Sequence, residues 1–194
     1  MAEPKIVGLG GSLRENSTSL AALNVALAGA AENGAATELL DVRTLDLPMY
    51  VPGLPELPAI VRELNDIVYA ADGLIWSSPL YHGTVSGSFK NALDWLNPLG
   101  QRDPAYLTGK VIGLISTAGG TQGLQAVNTM EFVVRSLRGW AVPLVLPIPR
   151  AARAFNEDGS VADANVERQL LDLGREVARA AQQIVHYQTC DYED

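Results

Sequence analysis

Three short segments of this chain carry the residue types that could grip a charged, flat ligand. The first is Gly8-Leu9-Gly10-Gly11-Ser12-Leu13-Arg14-Glu15-Asn16-Ser17, which follows an apolar run and precedes a helical pattern. A helix N-terminus exposes unpaired N–H groups and carries partial positive charge, so a phosphate placed there receives several hydrogen bonds at once. Ser12, Ser17 and Ser19 could add hydroxyls, and Arg14 a charged fork. No lysine follows a glycine at the Walker A place, and Leu13 stands where a dinucleotide fingerprint needs its third glycine.

The second segment is Pro79-Leu80-Tyr81-His82-Gly83-Thr84, and the third is Ser116-Thr117-Ala118-Gly119-Gly120-Thr121. Tyr81 and His82 offer flat, partly polar surfaces, while Gly83 permits close backbone approach. Bare amides at Gly119 and Gly120 could donate to the carbonyl and ring-nitrogen acceptors of a flat heteroaromatic ring and stabilise negative charge on it. His82 and His186 have no Cys or carboxylate cluster around them, which argues against a metal role. Lys90 and Asp94, one helical turn apart, read as an exposed ion pair.

The elements that must position these segments alternate. Strands are expected at Lys5–Gly10, Thr37–Asp41, Gly73–Ser78, Lys110–Ser116 and Val142–Leu146. Between them, helical spacing predicts a helix over Ser17–Glu32, stopped at Asn33-Gly34. Further helices are marked by Ile60, Leu64, Ile67 and Val68, then by Phe89, Ala92, Leu93 and Leu96, ended by Asn97-Pro98. Ala126, Met130, Val133 and Leu137 mark another, with Gly139 as its left-handed cap, and Leu170, Leu173, Val177 and Ile184 mark the last. Leu47–Pro58 holds four prolines and reads as a loop. Pro143 and Pro147 make the fifth strand an edge. The expectation is a single α/β domain over 1–194, with a five-stranded parallel sheet in the order 2-1-3-4-5 and helices on both faces. In such sheets, ligands bind outside the carboxyl ends of the strands, where all three segments fall.

Bulk properties narrow the classes. With 47% apolar residues among 194, the chain is globular. A net charge of −8 argues against nucleic acid as a main partner. One cysteine, Cys190, allows no internal disulfide and fits a cytoplasmic address. The strand at Lys5 leaves no room for a signal peptide, and the apolar stretch Leu20–Ala31 is too short to span a membrane. Asp191-Tyr192-Glu193-Asp194 reads as a solvated tail, and Asn156–Gly159 as a surface turn.

At these residues the chain resembles the NADPH-dependent FMN reductase family, a branch of the flavodoxin-like fold. The shared pattern is Gly11-Ser12-Leu13-Arg14 with Ser17, then Pro79-x-Tyr81-x-Gly83-x-x-x-Gly87-x-x-Lys90-Asn91-x-Leu93-Asp94-x-Leu96, then Ser116-x-x-Gly119-Gly120. The likeness runs from about Lys5 to Trp140 and touches the quinone, chromate, azo and arsenic-resistance flavoproteins. It implies bound FMN, an NAD(P)H donor, a small-molecule acceptor and a homodimer or homotetramer. By that resemblance Ser12, Arg14, Ser17, Thr18 and Ser19 hold the FMN phosphate. Pro79, Leu80, Tyr81, His82, Gly83 and Thr84 line the ring, and Ser116, Gly119, Gly120 and Thr121 cover its pyrimidine edge. It implies hydride transfer from NAD(P)H to flavin, quinone, azo or metal-oxyanion acceptors, with no protein acid or base. The competing readings are a flavodoxin-like carrier serving a protein partner, a specialised FMN-dependent dehydrogenase and a non-redox phosphate sensor.

Overall fold

The computed structural model describes residues 3–190, with side chains through residue 184. The Asp191–Asp194 tail and the His186 side chain lie outside that range. Among the described residues six strands form: β1 (Lys5–Gly10), β2 (Ala36–Asp41), β3 (Gly73–Tyr81), β4 (Thr84–Val85), β5 (Val111–Thr117) and β6 (Trp140–Ile148). Five are parallel, in the order β2-β1-β3-β5-β6, and the two-residue β4 pairs antiparallel with the end of β3. The parallel set reproduces the expected order, with β4 as an addition.

Alternation along the strands builds two cores. Val7, Leu9, Leu74, Trp76, Ile112 and Leu114 pack beneath α3 (Ala59–Ala70), α4 (Gly87–Asp94) and α5 (Gly123–Ser136). Ile6, Ile75, Val111 and Ile115 face the other way, beneath α1 (Thr18–Glu32) and α7 (Ala164–Cys190). Two four-residue turns of helix, α2 (Val42–Leu45) and α6 (Ala151–Ala154), complete the connections. Among the described residues, no helix is long and apolar enough to cross a membrane.

Four expectations need correction. α4 ends at Asp94, short of Leu96, and Asn97-Pro98 opens a 3-10 turn over Asn97–Gln101, while β6 outruns Val142–Leu146 at both ends. β3 does not stop at Ser78 but runs through Pro79 to Tyr81. It outruns β1, whose pairing ends at Ser77, so the missing N–H of Pro79 falls where one flank of the strand has no partner strand. The left-handed residue after α5 is Arg138, with φ 64°, and not Gly139. Gly139 serves a different need: a Cβ there would stand 2.5 Å from Ile112 Cδ1. β6 is an edge strand as its prolines require, and its register slips where Ile112 faces Ala141 but Leu114 faces Val145.

Polar contacts lock the connections. Lys110 Nζ donates to the carbonyls of Tyr69 (2.7 Å) and Ala71 (2.5 Å), closing the end of α3. Burial lowers the Lys110 pKa, opposed by nearby Asp72. The proline-rich loop at 46–58 is held by the Asn91 amide, which donates to Pro48 O (2.9 Å) and accepts from Tyr50 N (2.7 Å). Trp95 Nε1 also donates to Pro48 O, at 2.7 Å, and its ring meets the Tyr50 ring edge-on at 5.0 Å. Lys90 and Asp94 form the expected exposed pair on α4, at 2.6 Å.

Candidate functional site

The first loop leaves β1 at Gly10 and enters α1 at Thr18. Gly11 N donates to Ser77 O at 2.8 Å, so the loop begins bonded to β3. Gly11 lies against α4, and a Cβ on it would stand 2.6 Å from Phe89. Ser17 caps α1, its Oγ accepting from Leu20 N at 3.2 Å. That leaves the N–H groups of Thr18 and Ser19 as first-turn donors with no acceptor inside the helix. Ser12 Oγ accepts from Arg14 N at 3.2 Å and shapes the turn. Leu13, Arg14, Glu15 and Asn16 are exposed.

The hydroxyls that the sequence offers to an anion are not equivalent. Ser12, Ser17 and Ser19 are 4%, 8% and 1% exposed. Ser17 Oγ and Ser19 Oγ bond each other at 2.9 Å, while Ser77 Oγ donates to Ser19 O at 2.7 Å. Ser19 therefore braces the loop from beneath and does not face its open side.

The second segment is a hairpin. Tyr81 pairs with Thr84 across a two-residue turn, His82-Gly83, with φ values of 50° and 86°. Two positive φ values are what a tight type I′ turn demands, and glycine supplies the second without strain. Tyr81, His82, Gly83 and Thr84 are exposed, Pro79 is buried and Leu80 is intermediate. Thr84 Oγ1 lies 3.2 Å from Thr129 Oγ1, which ties the hairpin to α5.

The third segment splits at the strand end. Ser116 and Thr117 are buried in β5, and Ser116 Oγ has no partner among the described residues. Gly119, Gly120 and Thr121 are exposed, with nothing within 4 Å of the place a Cβ on Gly119 would take. The turn is anchored by Arg150 N to Gly120 O and Ala151 N to Ala118 O, both 2.9 Å.

Register brings the three together. Gly10 is level with Ser77, and Pro79 with Thr117, so the first loop, hairpin and third loop follow one another along one end of the sheet. Helix-terminal N–H groups with Arg14 stand at one side, and flat side chains with exposed glycine backbone at the other. This donor set fits the FMN that the resemblance implies: an anion at the helix start, a planar polar ring at the glycine turns. The orphaned Ser116 hydroxyl under the third loop is a further unsatisfied polar atom at this end. The Asn156–Gly159 turn stands beside the first loop alone and meets neither the hairpin nor the third loop in the groove it forms. With Arg14 to Thr18 it lines a groove of about 810 Å³ along α1.

Sequence reasoning missed Ser86. It caps α4, its Oγ accepting from Phe89 N at 3.1 Å and donating to Gly11 O. A serine three residues ahead of Phe89, at the cap place for the Phe89, Ala92, Leu93 periodicity, was the available signal.

Comparison with known proteins gives a consistent picture. The family model described as NADPH-dependent FMN reductase matches residues 4–153. An FMN-dependent NADPH-azoreductase of Staphylococcus aureus is 38% identical over 116 residues, which is 60% of this chain and 58% of that protein. The alignment thus spans under two thirds of the azoreductase. Among solved structures, FerB, a flavoenzyme NAD(P)H:(acceptor) oxidoreductase from Paracoccus denitrificans, superposes with TM-score 0.76 at 25% identity, covering 93% of this chain and 98% of its own. The apo form of the NADH:FMN oxidoreductase EMOB superposes at 0.71 with 23% identity, covering 91% and 89%, a likeness of fold alone.

Proposed function

The chain belongs to the NADPH-dependent FMN reductase family, oxidoreductases that work with FMN and NAD(P)H, and from that premise we propose that it transfers hydride from NAD(P)H to an azo, quinone, flavin or metal-oxyanion acceptor. When bound, FMN would supply the redox chemistry, taking hydride from a nicotinamide and yielding electrons to a second substrate. The chain's own residues bind and orient. The N–H groups of Thr18 and Ser19, with Arg14 and the Ser17 cap, hold the phosphate, while Ser12 sets the turn. Pro79 and Leu80 frame the ring, Tyr81, His82, Gly83 and Thr84 flank it, and Gly119, Gly120 and Thr121 offer donors at its polar edge. No side chain has to give or take a proton.

The observation that carries this reading is the continuity of the three rims: Gly11 N to Ser77 O on one side of β3, Pro79 level with Thr117 on the other. The azoreductase likeness supports azo compounds as the first acceptors to assay. The test is the visible spectrum of the purified protein before and after anaerobic NADPH. An oxidised-flavin spectrum that bleaches on NADPH and returns with an azo dye or a quinone is expected. A flavin spectrum that NADPH leaves untouched overturns the reductase reading in favour of a carrier, and a protein that takes up no FMN overturns both. A homodimer or homotetramer in the cytoplasm belongs to the same proposal, supported by the lone Cys190 and by apolar side chains exposed on α5 and β6.

A further inference from the structure

The first loop and the hairpin would hold opposite ends of one ligand, so something must fix the distance between them. One residue bonds to the supports of both, its hydroxyl to the first loop and its backbone N–H to Ser78. The Ser86 hydroxyl, on a residue 2% exposed, donates to Gly11 O, and Ser88 Oγ reaches the same carbonyl at 3.1 Å. Ser86 N donates to Ser78 Oγ at 3.0 Å, and Ser78 Oγ donates to Pro79 O at 3.0 Å. A hydroxyl has one proton and two acceptor sites. The Ser86 proton goes to Gly11 O, and its lone pairs take Phe89 N and face Ser88 Oγ at 3.1 Å. The path Gly11 O, Ser86, Ser78, Pro79 O thus runs unbroken from the first loop to the root of the hairpin. The packing of Gly11 on Phe89 leaves the loop no slack against α4.

We infer that Ser86 is a positioning residue that sets the separation between the phosphate end and the ring end of the FMN site, through its bonds to Gly11 and Ser78; this rests on the FMN reading above. It touches no ligand. Its effect falls on a ligand gripped at both ends and spares one gripped only by its ring.

FMN and riboflavin differ by that phosphate, so the ratio of their affinities reports the coupling. The experiment titrates full-length wild type, Ser86→Ala, Ser86→Gly and Ser86→Thr with each flavin by fluorescence quenching, alongside thermal melts. The Ala and Gly variants are expected to lose about tenfold in FMN-over-riboflavin preference, the size of one hydrogen bond's geometry lost. The Thr variant keeps the hydroxyl and restores the preference. Glycine is well tolerated at an N-cap, so Ser86→Gly melts close to wild type and carries the test where Ser86→Ala unfolds. A purely structural role would lower the melting temperature and leave the ratio at its wild-type value. That result, in a wild type that prefers FMN, overturns the inference alone. A wild type that binds neither flavin overturns the FMN reading and this inference with it.

Discussion

Arg14 is the only cation between Gly8 and Ser19, and its side chain is exposed beside the start of α1. A hydrogen bond from a charged group contributes about 1.5–3 kcal/mol, which corresponds to roughly 10–100-fold in affinity. Arg14→Ala should therefore weaken FMN binding by that factor and leave riboflavin binding nearly unchanged, as read by flavin fluorescence titration. Arg14→Lys keeps the charge but loses the two-pronged donor, so it should fall between the two. Equal FMN affinity in all three proteins would show that the anion is held without this side chain. The neighbouring serines show where sequence stops informing at this scale. Composition marks Ser12, Ser17 and Ser19 alike as donors, but burial separates them: Ser17 is a cap and Ser19 a brace. Which side of a turn a hydroxyl faces depends on what packs beneath it, here Ser77 of a strand 58 residues away.

Helices α1 and α7 approach so closely that glycine is the only residue the crossing accepts. A Cβ on Gly174 would stand 1.8 Å from Ala26 O, and one on Gly29 would stand 2.2 Å from Leu171 O. Intrinsic propensity favours alanine over glycine inside a helix by about 1 kcal/mol. Gly174→Ala must nevertheless push backbone against backbone, and overpacking of this kind costs about 1–3 kcal/mol or more. The expected outcome is a net loss of about 1–2 kcal/mol, the upper part of the overpacking cost less the propensity gain, read as a lower urea midpoint of the flavin-free protein. A raised midpoint would mean that propensity wins and the helices sit farther apart. Both helices were legible from spacing, because Leu23, Leu27, Leu173 and Val177 recur on the buried sides. Their crossing was not, since one sequence shows that a glycine is present but not what approaches it. The same holds for the site's elements. Three strand-ending loops could be read from apolar runs followed by glycine, and the sheet order puts them together. The hairpin closing at His82-Gly83 and the Ser86 bond to Gly11 arise from pairings that only the folded chain creates.

At the scale of the molecule, the flank formed by α5 and β6 exposes more apolar surface than the fold itself explains. Phe132 is 74% exposed, Trp140 66% and Leu124 50%. Beside Phe132 lies a groove of about 420 Å³, lined by Lys90, Leu93, Asp94, Asn97, Tyr106 and Leu137. A projecting ring next to a hollow on the same face is the self-complementarity that two-fold pairing uses, each copy's ring entering its partner's hollow. Burying a phenylalanine contributes about 1.5–3 kcal/mol, twice over in a symmetric pair. The pairing would bear on function, because α4 starts at the Ser86 bond to Gly11 and α5 starts where the third loop ends. The groove beside Phe132 lies along the later turns of α4 and α5, so an interface there would act on the flavin rims through the starts of those two helices. Phe132→Asp places two charges at the symmetric contact, while Phe132→Leu keeps it apolar. Light scattering on a sizing column should give a multiple of the chain mass for wild type and Phe132→Leu, and the single-chain mass for Phe132→Asp. FMN affinity measured on the separated Phe132→Asp monomer then reads whether the partner supports the site. Wild type eluting at single-chain mass, at concentrations where the reductase is active, would show that this flank faces solvent and that each site works within one copy.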